Sequence, residues 1–273
     1  MITSDQITAV IPTKNRLFEL ERCVKSIYSV VKDIIIIDNN SSEDIQSLEK
    51  KYEKVHVYLA NRNLGPCAAQ NWGVQLADTE WVLLLDNDVE LLKWNISMLE
   101  DILDPEDSVV SFRILCDEYF KMYSVLYPDH PDWIQEIPWF YGCANLIKRD
   151  VWLDLEGYNE KYFAYYQEPE FSARLHKEGY KIVYFPYIIF AHHDSEVERD
   201  YEKIAYWKIR NHFWFCHQYL PFGAHGYQLI KMFLWGLYNT NIQNQVKAYI
   251  DALKDLPKRD PITDEFFLKV WRK

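Results

Sequence analysis

The stretch Trp81-Val-Leu-Leu-Leu-Asp-Asn-Asp88 is the most informative part of this chain for predicting its fold. A short run of large apolar side chains is typical of a fully buried central strand. Here the run ends at two aspartates, Asp86 and Asp88, with one residue between them. Because successive side chains of a strand point to opposite faces, both carboxylates are expected to point the same way at the carboxyl end of the strand. In an open α/β sheet, ligands bind at that end.

Two carboxylates at this edge of the sheet suit a hard divalent cation. Mg²⁺ and Mn²⁺ prefer oxygen ligands and often bind together with a phosphate. The alternative is a polar loop that happens to contain acids, since Asp-x-Asp is a short and common pattern. The motif by itself therefore indicates a metal site but leaves the plain loop open.

Strands alternate with helices through the first half of the chain. We predict strands over residues 7–12, 33–38, 55–59 and 81–86, and helices over residues 17–30, 42–54 and 66–77. Such alternation implies right-handed crossovers and a mainly parallel sheet flanked by helices, an α/β fold. Polar side chains follow all four strands, namely Thr13, Asn15, Asp38, Asn39, Asn61, Asn63, Asp86 and Asp88. This rim of the sheet is the predicted ligand site.

The second half of the chain is less regular. We predict a helix over residues 93–103, a strand over 108–115, an ordered surface segment over 119–138, a strand over 139–147, helices over 149–155 and 169–178, and strand residues over 181–190. From Tyr201 onward the pattern is helical. The simplest division of the chain is one domain over residues 1–200 and a helical extension over residues 201–273.

Composition excludes several classes of protein. The chain has 273 residues, of which 49% are hydrophobic, so it can bury a sizeable core. A net charge of −11 argues against nucleic acid as a partner, because binding to its backbone requires clustered cations. The five cysteines are scattered without a Cys-x-x-Cys pair, which argues against zinc and a disulfide framework and favours a reducing cytosol. The first residues do not resemble a signal peptide.

A series of short motifs resembles family 2 glycosyltransferases of the GT-A fold, particularly bacterial rhamnosyltransferase-like members. The motifs are Val10-Ile-Pro-Thr-Lys-Asn-Arg16, Ile36-Ile-Asp-Asn-Asn-Ser-Ser42, Asn61-Arg-Asn-Leu-Gly65, Asn71-Trp-Gly73, Leu83-Leu-Leu-Asp-Asn-Asp88, Gly142, Gly157-Tyr-Asn-Glu160, Gln167-Glu-Pro-Glu170 and His192-His-Asp-Ser195. Each motif is weak alone, but their order and spacing over residues 6–215 make the resemblance specific. It implies a nucleotide-sugar donor and a Mn²⁺ or Mg²⁺ cofactor.

The resemblance assigns roles residue by residue. It places at the nucleotide sugar Pro12, Thr13, Asn15, Arg16, Asp38, Asn63, Gly65, Asn71, Asp86 and Asn87. Asp38 would accept a hydrogen bond from the base, or else cap the next turn. Gly65 is also explained by turn geometry, and Asn71 by a surface position on its helix. The resemblance makes Asp88 a metal ligand and Asp86 a partner of the ribose or of a metal-bound water.

His192 is the second expected metal ligand, because it opens a His-x-x-Ser pattern of this family and a neutral imidazole can complete a Mn²⁺ or Mg²⁺ site. The neighbouring His193 is its competitor, since adjacent strand residues face opposite ways.

The segment Gln167-Glu-Pro-Glu170 is expected to hold the catalytic base. Pro169 suits the first position of a helix, which would make Glu168 the N-cap, a position that glutamate does not favour. The resemblance makes Glu168 the base, whereas Glu170 is explained by the dipole of the helix. Family members usually carry an acidic pair here, and Gln167 departs from that pattern.

These assignments imply an inverting transfer of a sugar, from dTDP-rhamnose or a UDP-sugar, to a hydroxyl of a glycan or lipid-linked acceptor in surface polysaccharide synthesis. The alternative is a non-catalytic module that binds sugar nucleotides or glycans. The apolar face of Leu229, Phe233 and Leu237 would pack on the catalytic domain or a second subunit, or contact a membrane. The expected location is the cytoplasm or the inner face of the membrane.

Overall fold

The computed structural model describes residues 2–99, 103–104, 106–116, 132–193 and 199–272. A nine-stranded sheet runs through these residues in the order β3-β2-β1-β4-β8-β6-β9-β5, with β7 paired to β9. The strands are β1 (Ile7–Thr13), β2 (Asp33–Asp38), β3 (Val55–Leu59), β4 (Trp81–Leu85), β5 (Val89–Lys93), β6 (Asp107–Cys116), β7 (Gln135–Glu136), β8 (Ala144–Lys148) and β9 (Lys181–His192).

The helices surround this sheet and then continue beyond it. They are α1 (Leu17–Ile27), α2 (Gly65–Leu76), α3 (Arg149–Asp154), α4 (Gln167–Lys177), α5 (Tyr201–Tyr219), α6 (Phe222–Asn239), α7 (Ile242–Lys254) and α8 (Glu265–Lys269). Apolar side chains fill two cores, one on each face of the sheet strands. The predicted α/β class is confirmed.

The sheet is mixed rather than mainly parallel. Strands β3, β2, β1 and β4 are parallel, as the strand–helix alternation predicts. The next neighbour, β8, runs antiparallel to β4 and β6, and β5 runs antiparallel to β9. Strands β6 and β9 are parallel to each other. This mixed half of the sheet places His192, at the end of β9, beside Asp88, just after β4, which the order of strands along the chain did not predict.

Two predicted helices are wrong. Residues 89–93 form β5. Of the predicted helix over residues 93–103, the described residues contain only the short 3₁₀ helix Ile96–Met98. Pairing with β9 provides the ladder hydrogen bonds that a helix would otherwise supply. Residues 42–54 contain the 3₁₀ helix Ile45–Lys50, because Ser42 donates to Asn15 instead of capping a helix. The predicted strand over residues 139–147 begins only at Ala144. Most of the segment 119–138 lies outside the described residues.

Helices α5, α6, α7 and α8 form the helical C-terminal part. Helix α5 packs against α4, α6 and α7, and its buried Trp214, Phe215 and Tyr219 share a core with Phe171 of α4. A division of the chain at residue 200 stays a prediction. Among the described residues, no helix is both long and apolar enough to cross a bilayer.

Candidate active site

Asp86 and Asp88 lie in the connection between two strands, whereas the predicted strand had included Asp86. β4 ends at Leu85, the backbone N–H of Asp86 donates to Cys143 at 2.9 Å, and β5 begins at Val89. The turn still brings the two carboxylates together, and β9 supplies a third group. Ligand atoms of Asp86, Asp88 and His192 all lie within 4.8 Å of one another.

Asp88 is the centre of this cluster. Its Oδ2 accepts a hydrogen bond of 3.1 Å from Nη1 of Arg16, and its Oδ1 lies 3.1 Å from Nε2 of His192. His193 points elsewhere, with its Nε2 2.9 Å from Oε2 of Glu90. Of the two histidines, the structure therefore places His192, the expected ligand, beside the aspartates.

The electrostatics of the cluster fit a divalent cation. Burial and the neighbouring charge of Asp88 raise the pKa of Asp86. Burial would also raise the pKa of Asp88, but the hydrogen bond from His192 and the charges of His192 and Arg16 outweigh it and lower that pKa. A buried and a half-buried carboxylate beside an imidazole form a donor set that Mn²⁺ and Mg²⁺ accept, and a cation would relieve the repulsion between the two carboxylates.

The loop after β1 is braced against the loops after β2 and β4. Pro12 and Thr13 stand opposite Ile37 and Asp38 in the β1–β2 register. The Thr13 hydroxyl accepts a hydrogen bond of 2.8 Å from the amide of Asn87. Asn15 and Arg16 have φ values of 56° and 63°, and Oδ1 of Asn15 accepts from the backbone N–H of Ser42 at 2.7 Å. The sheet rim thus gathers these predicted nucleotide residues into one rigid edge.

Asp38 makes the turn contact that sequence left as its alternative role. Its Oδ1 accepts from the backbone N–H of Ser41 at 2.9 Å and from the Ser41 hydroxyl at 2.5 Å. The side chain is buried at the end of β2. The turn contact explains its conformation, and a contact with a nucleotide base stays a prediction.

Three predicted residues belong to the loop and helix after β3. Oδ1 of Asn63 accepts from the backbone N–H of Gly65 at 2.9 Å. Gly65 has a φ of +80°, and a Cβ there would come within 2.8 Å of the Phe163 carbonyl oxygen, so both backbone angle and space require glycine. Asn71 is buried rather than exposed. Its amide donates to the carbonyl of Tyr158 at 2.8 Å and to Glu160 at 3.1 Å, so nucleotide contact through that amide would require one of these bonds to break.

Glu168 lies inside the first turn of α4, and the N-cap is Tyr166, so the N-cap assignment of Glu168 is wrong. The Gln167 amide donates a hydrogen bond of 2.7 Å to Oε1 of Glu168. A Cβ added at Gly142 would overlap the same oxygen. Burial raises the pKa of Glu168 to about 8, helped by the charge of Asp86 and opposed by its own backbone N–H and by Gln167. The charge of Asp86 thus links the expected base electrostatically to the cluster of Asp86, Asp88 and His192.

Glu170 has a structural role, though not mainly through the helix dipole. It is 2% exposed, its Oε2 lies 2.7 Å from Nη2 of Arg174, and its Oε1 accepts from the Tyr219 hydroxyl at 2.9 Å. The hydrogen bond from Tyr219 ties α4 to α5. The ion pair with Arg174, within α4, balances the charge of this second carboxylate near Glu168.

Sequence patterns did not predict the strained loop that precedes Glu168. Phe163, Tyr165 and Tyr166 all have φ values between 63° and 67°. Phe163 has a ψ of −62°, and the N–H of Ala164 donates to the Tyr162 carbonyl at 2.7 Å, which makes a γ-turn of the rare positive-φ kind. Each such residue costs about 1–3 kcal/mol, and strain of this kind concentrates at functional sites. Glycines at these positions would have indicated backbone with positive φ, but the chain has aromatic residues there.

Comparison with known proteins identifies the family. Residues 8–155, more than half of the chain, match the family described as Glycosyl transferase family 2. The chain belongs to glycosyl transferase family 2. The matched residues include β1, β2 and β4 with their rim of polar side chains, and they end before Glu168 and His192.

Characterised relatives of this family 2 chain resemble it over part of their length. A GalNAc(5)-diNAcBac-PP-undecaprenol beta-1,3-glucosyltransferase of Campylobacter jejuni is 37% identical over 102 residues, which are 34% of this chain and 33% of the relative. An N-acetylglucosaminyl-diphospho-decaprenol L-rhamnosyltransferase of Mycobacterium tuberculosis is 24% identical over 204 residues, 59% of this chain and 66% of the relative. The chain thus spans less than two thirds of the length of these relatives.

Solved structures confirm the GT-A fold. A mannosyltransferase of Pyrobaculum calidifontis in complex with GDP-Man and Mn²⁺ superposes with a TM-score of 0.60 at 15% identity, covering 94% of this chain and 84% of that chain. At this identity the likeness concerns the fold alone.

Proposed function

We propose that this family 2 chain is an inverting, divalent-metal-dependent glycosyltransferase. It would move a sugar from a nucleoside-diphosphate sugar to a hydroxyl of a glycan or lipid-linked acceptor. The observation that carries this proposal is the placement of Glu168, a half-buried carboxyl of raised pKa, within electrostatic reach of the Asp86, Asp88 and His192 cluster. A perturbed acid beside a cation site matches what such a transfer needs.

Asp88 and His192 would hold the cation directly, with Asp86 beside them. Mn²⁺ or Mg²⁺ bound there would neutralise the charge on the diphosphate leaving group. Arg16, which already pairs with Asp88 at 3.1 Å, adds a fixed positive charge at the same edge. The rim residues Pro12, Thr13, Asn15, Asp38, Asn63, Gly65 and Asn87 would surround the nucleotide.

Glu168 would act as the general base. Its carboxylate takes the proton of the acceptor hydroxyl while that oxygen bonds to the anomeric carbon. The bond from this carbon to the diphosphate oxygen breaks on the opposite face, so the anomeric centre inverts. General-base assistance typically contributes about 10² to 10⁴ in rate, and it is most effective when the pKa of the base is near the working pH. A pKa of about 8 satisfies that condition.

The donor is proposed to be dTDP-rhamnose or a UDP-sugar, and the acceptor a lipid-linked glycan. Support comes from relatives whose names specify undecaprenol- and decaprenol-linked substrates, one of them a rhamnosyltransferase. Such acceptors reside at a membrane, so surface polysaccharide synthesis at its inner face is the proposed setting.

Helix α6 is proposed to contact that membrane. Exposed apolar side chains cover α6 and α7, namely Phe222, Tyr227, Ile230, Phe233, Leu234, Leu237, Tyr238, Ile242, Val246, Ile250 and Leu253. Residues 221–250 contain no acidic residue, although the chain has a net charge of −11, and they carry Lys231 and Lys247. An apolar, aromatic and cationic surface is complementary to anionic lipid, whereas a second copy would bring the same cations together.

Flotation tests this contact. The chain should float with phosphatidylglycerol vesicles and much less with phosphatidylcholine vesicles. Ile230→Glu combined with Leu234→Glu should abolish flotation, and Leu76→Glu on the distant α2 should not. Failure to float, or a dimer lost in the same double variant, would count against membrane contact.

A donor screen and a turnover assay test the proposed reaction. Ligands that bind the folded state raise its stability, so one nucleotide sugar should raise the Tm only when Mn²⁺ or Mg²⁺ is present. Glu168→Gln should keep this shift but lose transfer to a short prenyl-diphosphate glycan. Donor binding without turnover in the unsubstituted chain, across all acceptors offered, would favour the non-catalytic module.

A further inference from the structure

The strained loop Phe163–Tyr166 connects the two halves of the candidate site. On one side its Phe163 carbonyl accepts a hydrogen bond of 3.4 Å from the backbone N–H of Cys67, and the Phe163 side chain packs against Gly65, next to the predicted nucleotide loop. On the other side the loop leads directly into Gln167 and Glu168. The position of this loop therefore fixes where α4 begins and where the Glu168 carboxyl lies.

The side-chain amide of Asn211, in α5, forms hydrogen bonds to the backbone of this loop. The residue is fully buried, and its Nδ2 lies 2.9, 2.6 and 2.8 Å from the carbonyl oxygens of Tyr162, Ala164 and Tyr165. Two amide hydrogens are thus shared among three consecutive or near-consecutive carbonyls of the strained backbone. A single side chain compensates the backbone groups that the γ-turn and the left-handed residues direct inward.

The residues next to Asn211 fix its orientation. Oδ1 of Asn211 accepts from Nε and Nη2 of Arg210 at 2.9 and 2.7 Å, so the amide has only one consistent assignment. The Arg210 guanidinium lies between the rings of Trp207 and Trp214, 4.4 and 4.3 Å from their centroids. On the other flank, Nδ1 of His212 lies 2.7 Å from the hydroxyl of Tyr166. Three successive residues of α5, Arg210, Asn211 and His212, therefore contact the loop or fix the side chain that contacts it.

We propose that Asn211 is a positioning residue that sets the place of Glu168 by holding the strained loop Phe163–Tyr166 in one conformation. The proposal rests on the proposed transfer reaction for its kinetic consequence. Its structural part is independent of that reaction. A loop without backbone strain would not need one buried amide to bind three of its carbonyls. A strained loop persists only where the surrounding contacts hold it in place, and Asn211 supplies such contacts.

Kinetics provide the first test. Asn211→Leu keeps the volume and removes the amide. Gln245→Met is the matched control, because Gln245 is also buried in the helical part and its amide also donates to a carbonyl, that of Phe233 at 2.8 Å. Asn211→Leu should lower kcat roughly 10- to 100-fold, since small misplacements have effects of this size, with the donor KM within about threefold. Gln245→Met should lose a similar Tm and keep kcat. An unchanged kcat in folded Asn211→Leu would overturn the proposal.

A second test does not depend on turnover. The pH at which Glu168 titrates is measured as the difference in unfolding free energy between chains with Glu168 and with Glu168→Gln. The titratable groups facing it are Asp86, Cys67 and Tyr158, and all are unchanged in the comparison. Removing the Asn211 amide should move the midpoint by at least about one pH unit toward the value for a solvated carboxyl. An unmoved midpoint would overturn the positioning role even if no transfer is ever detected.

Asn211→Ser keeps the proposal testable if the leucine variant does not fold. Its hydroxyl can donate one hydrogen bond in place of the shared amide. Its kcat should then be lower than that of the parent chain, and its Glu168 midpoint should move toward the value for a solvated carboxyl. Parent values for both quantities in Asn211→Ser, with a Tm lower than that of the parent, would mean that Asn211 contributes stability only.

Discussion

The Gln167 amide donates a hydrogen bond of 2.7 Å to Glu168, and Gln167 occupies the position where the motif resemblance predicts an acid. A hydrogen bond to the carboxylate favours its charged form, so Gln167 lowers a pKa that burial raises. Glutamine at position 167 therefore keeps Glu168, the proposed base, closer to ionisation.

Gln167→Glu should lower activity at neutral pH, although it restores the usual acid. A second negative charge beside Glu168 raises its pKa further, because like charges disfavour ionisation. The pH profile of kcat/KM should shift upward by about one unit, and activity near neutrality should fall about tenfold. Gln167→Met, which removes the hydrogen bond without adding charge, should shift the profile less. A profile that moves downward in Gln167→Glu would contradict this role.

The stability of the chain should depend on pH through Glu168. The pKa of this carboxyl is raised from 4.5 to about 8 in the folded state. Between these values the folded chain holds a proton that the unfolded chain has released, so the free energy of unfolding falls as pH rises and levels off above about 8. Glu168→Gln lacks this decline and should be the more stable chain at alkaline pH. Urea unfolding across the range measures it, and a constant difference between the two chains would refute it.

Gly142→Ala should impair the base by direct overlap. Its Cβ would occupy the space of Oε1 of Glu168 and push the carboxyl out of place. We expect kcat to fall by about 10² with a modest loss of Tm. Gly226→Ala on α6, where a Cβ meets nothing within 4 Å, should leave kcat unchanged and stabilise the helix by about 0.5–1 kcal/mol. Equal kcat in the two variants would show that Glu168 has room to adjust.

The two adjacent histidines should behave differently toward metal. His192→Ala should abolish the Mn²⁺-dependent rise in Tm with a nucleoside diphosphate, because His192 lies 3.1 Å from Asp88. His193→Ala should keep it, since that side chain pairs with Glu90. Loss of the shift in His193→Ala alone would reverse the assignment.

Glu170 should matter for stability and not for the chemistry. Glu170→Ala leaves the largely buried Arg174 without its partner, and breaking a buried pair in this way typically costs about 3–5 kcal/mol. The midpoint of urea unfolding should fall accordingly, while the pH profile of the remaining activity keeps its shape. A changed profile would bring Glu170 into the catalytic machinery.

Local sequence predicts the parallel half of the sheet well. The β-branched run Ile34–Ile37 and the run Val55–Leu59 coincide with β2 and β3, because each is short, apolar and followed by turn residues. Local sequence does not predict β5. Its Val89-Glu-Leu-Leu-Lys93 is a strand only because β9, about a hundred residues later, pairs with it, and no local pattern contains that partner.

The candidate site also contains residues that local motifs predict and residues that only the folded structure reveals. Asp86, Asp88, His192 and Glu168 follow from motifs whose residue types carry the chemistry. The roles of Asn211 and of Phe163, Tyr165 and Tyr166 depend on backbone conformation and on contacts between α5 and a distant loop. Aromatic residues at positive φ leave no mark in composition or periodicity, so only the folded arrangement reveals them.

The register of β5 against β9 has a further consequence. Val89 stands opposite His192 and Glu90 opposite Ala191. A slip of one residue would reverse which side chains face each way, presenting His193 to Asp88 and withdrawing His192. Such a chain would look folded by most spectroscopic criteria, yet it would lack the imidazole that we propose binds the cation. The register in which β5 and β9 pair during folding therefore determines whether a folded chain has His192 beside Asp88.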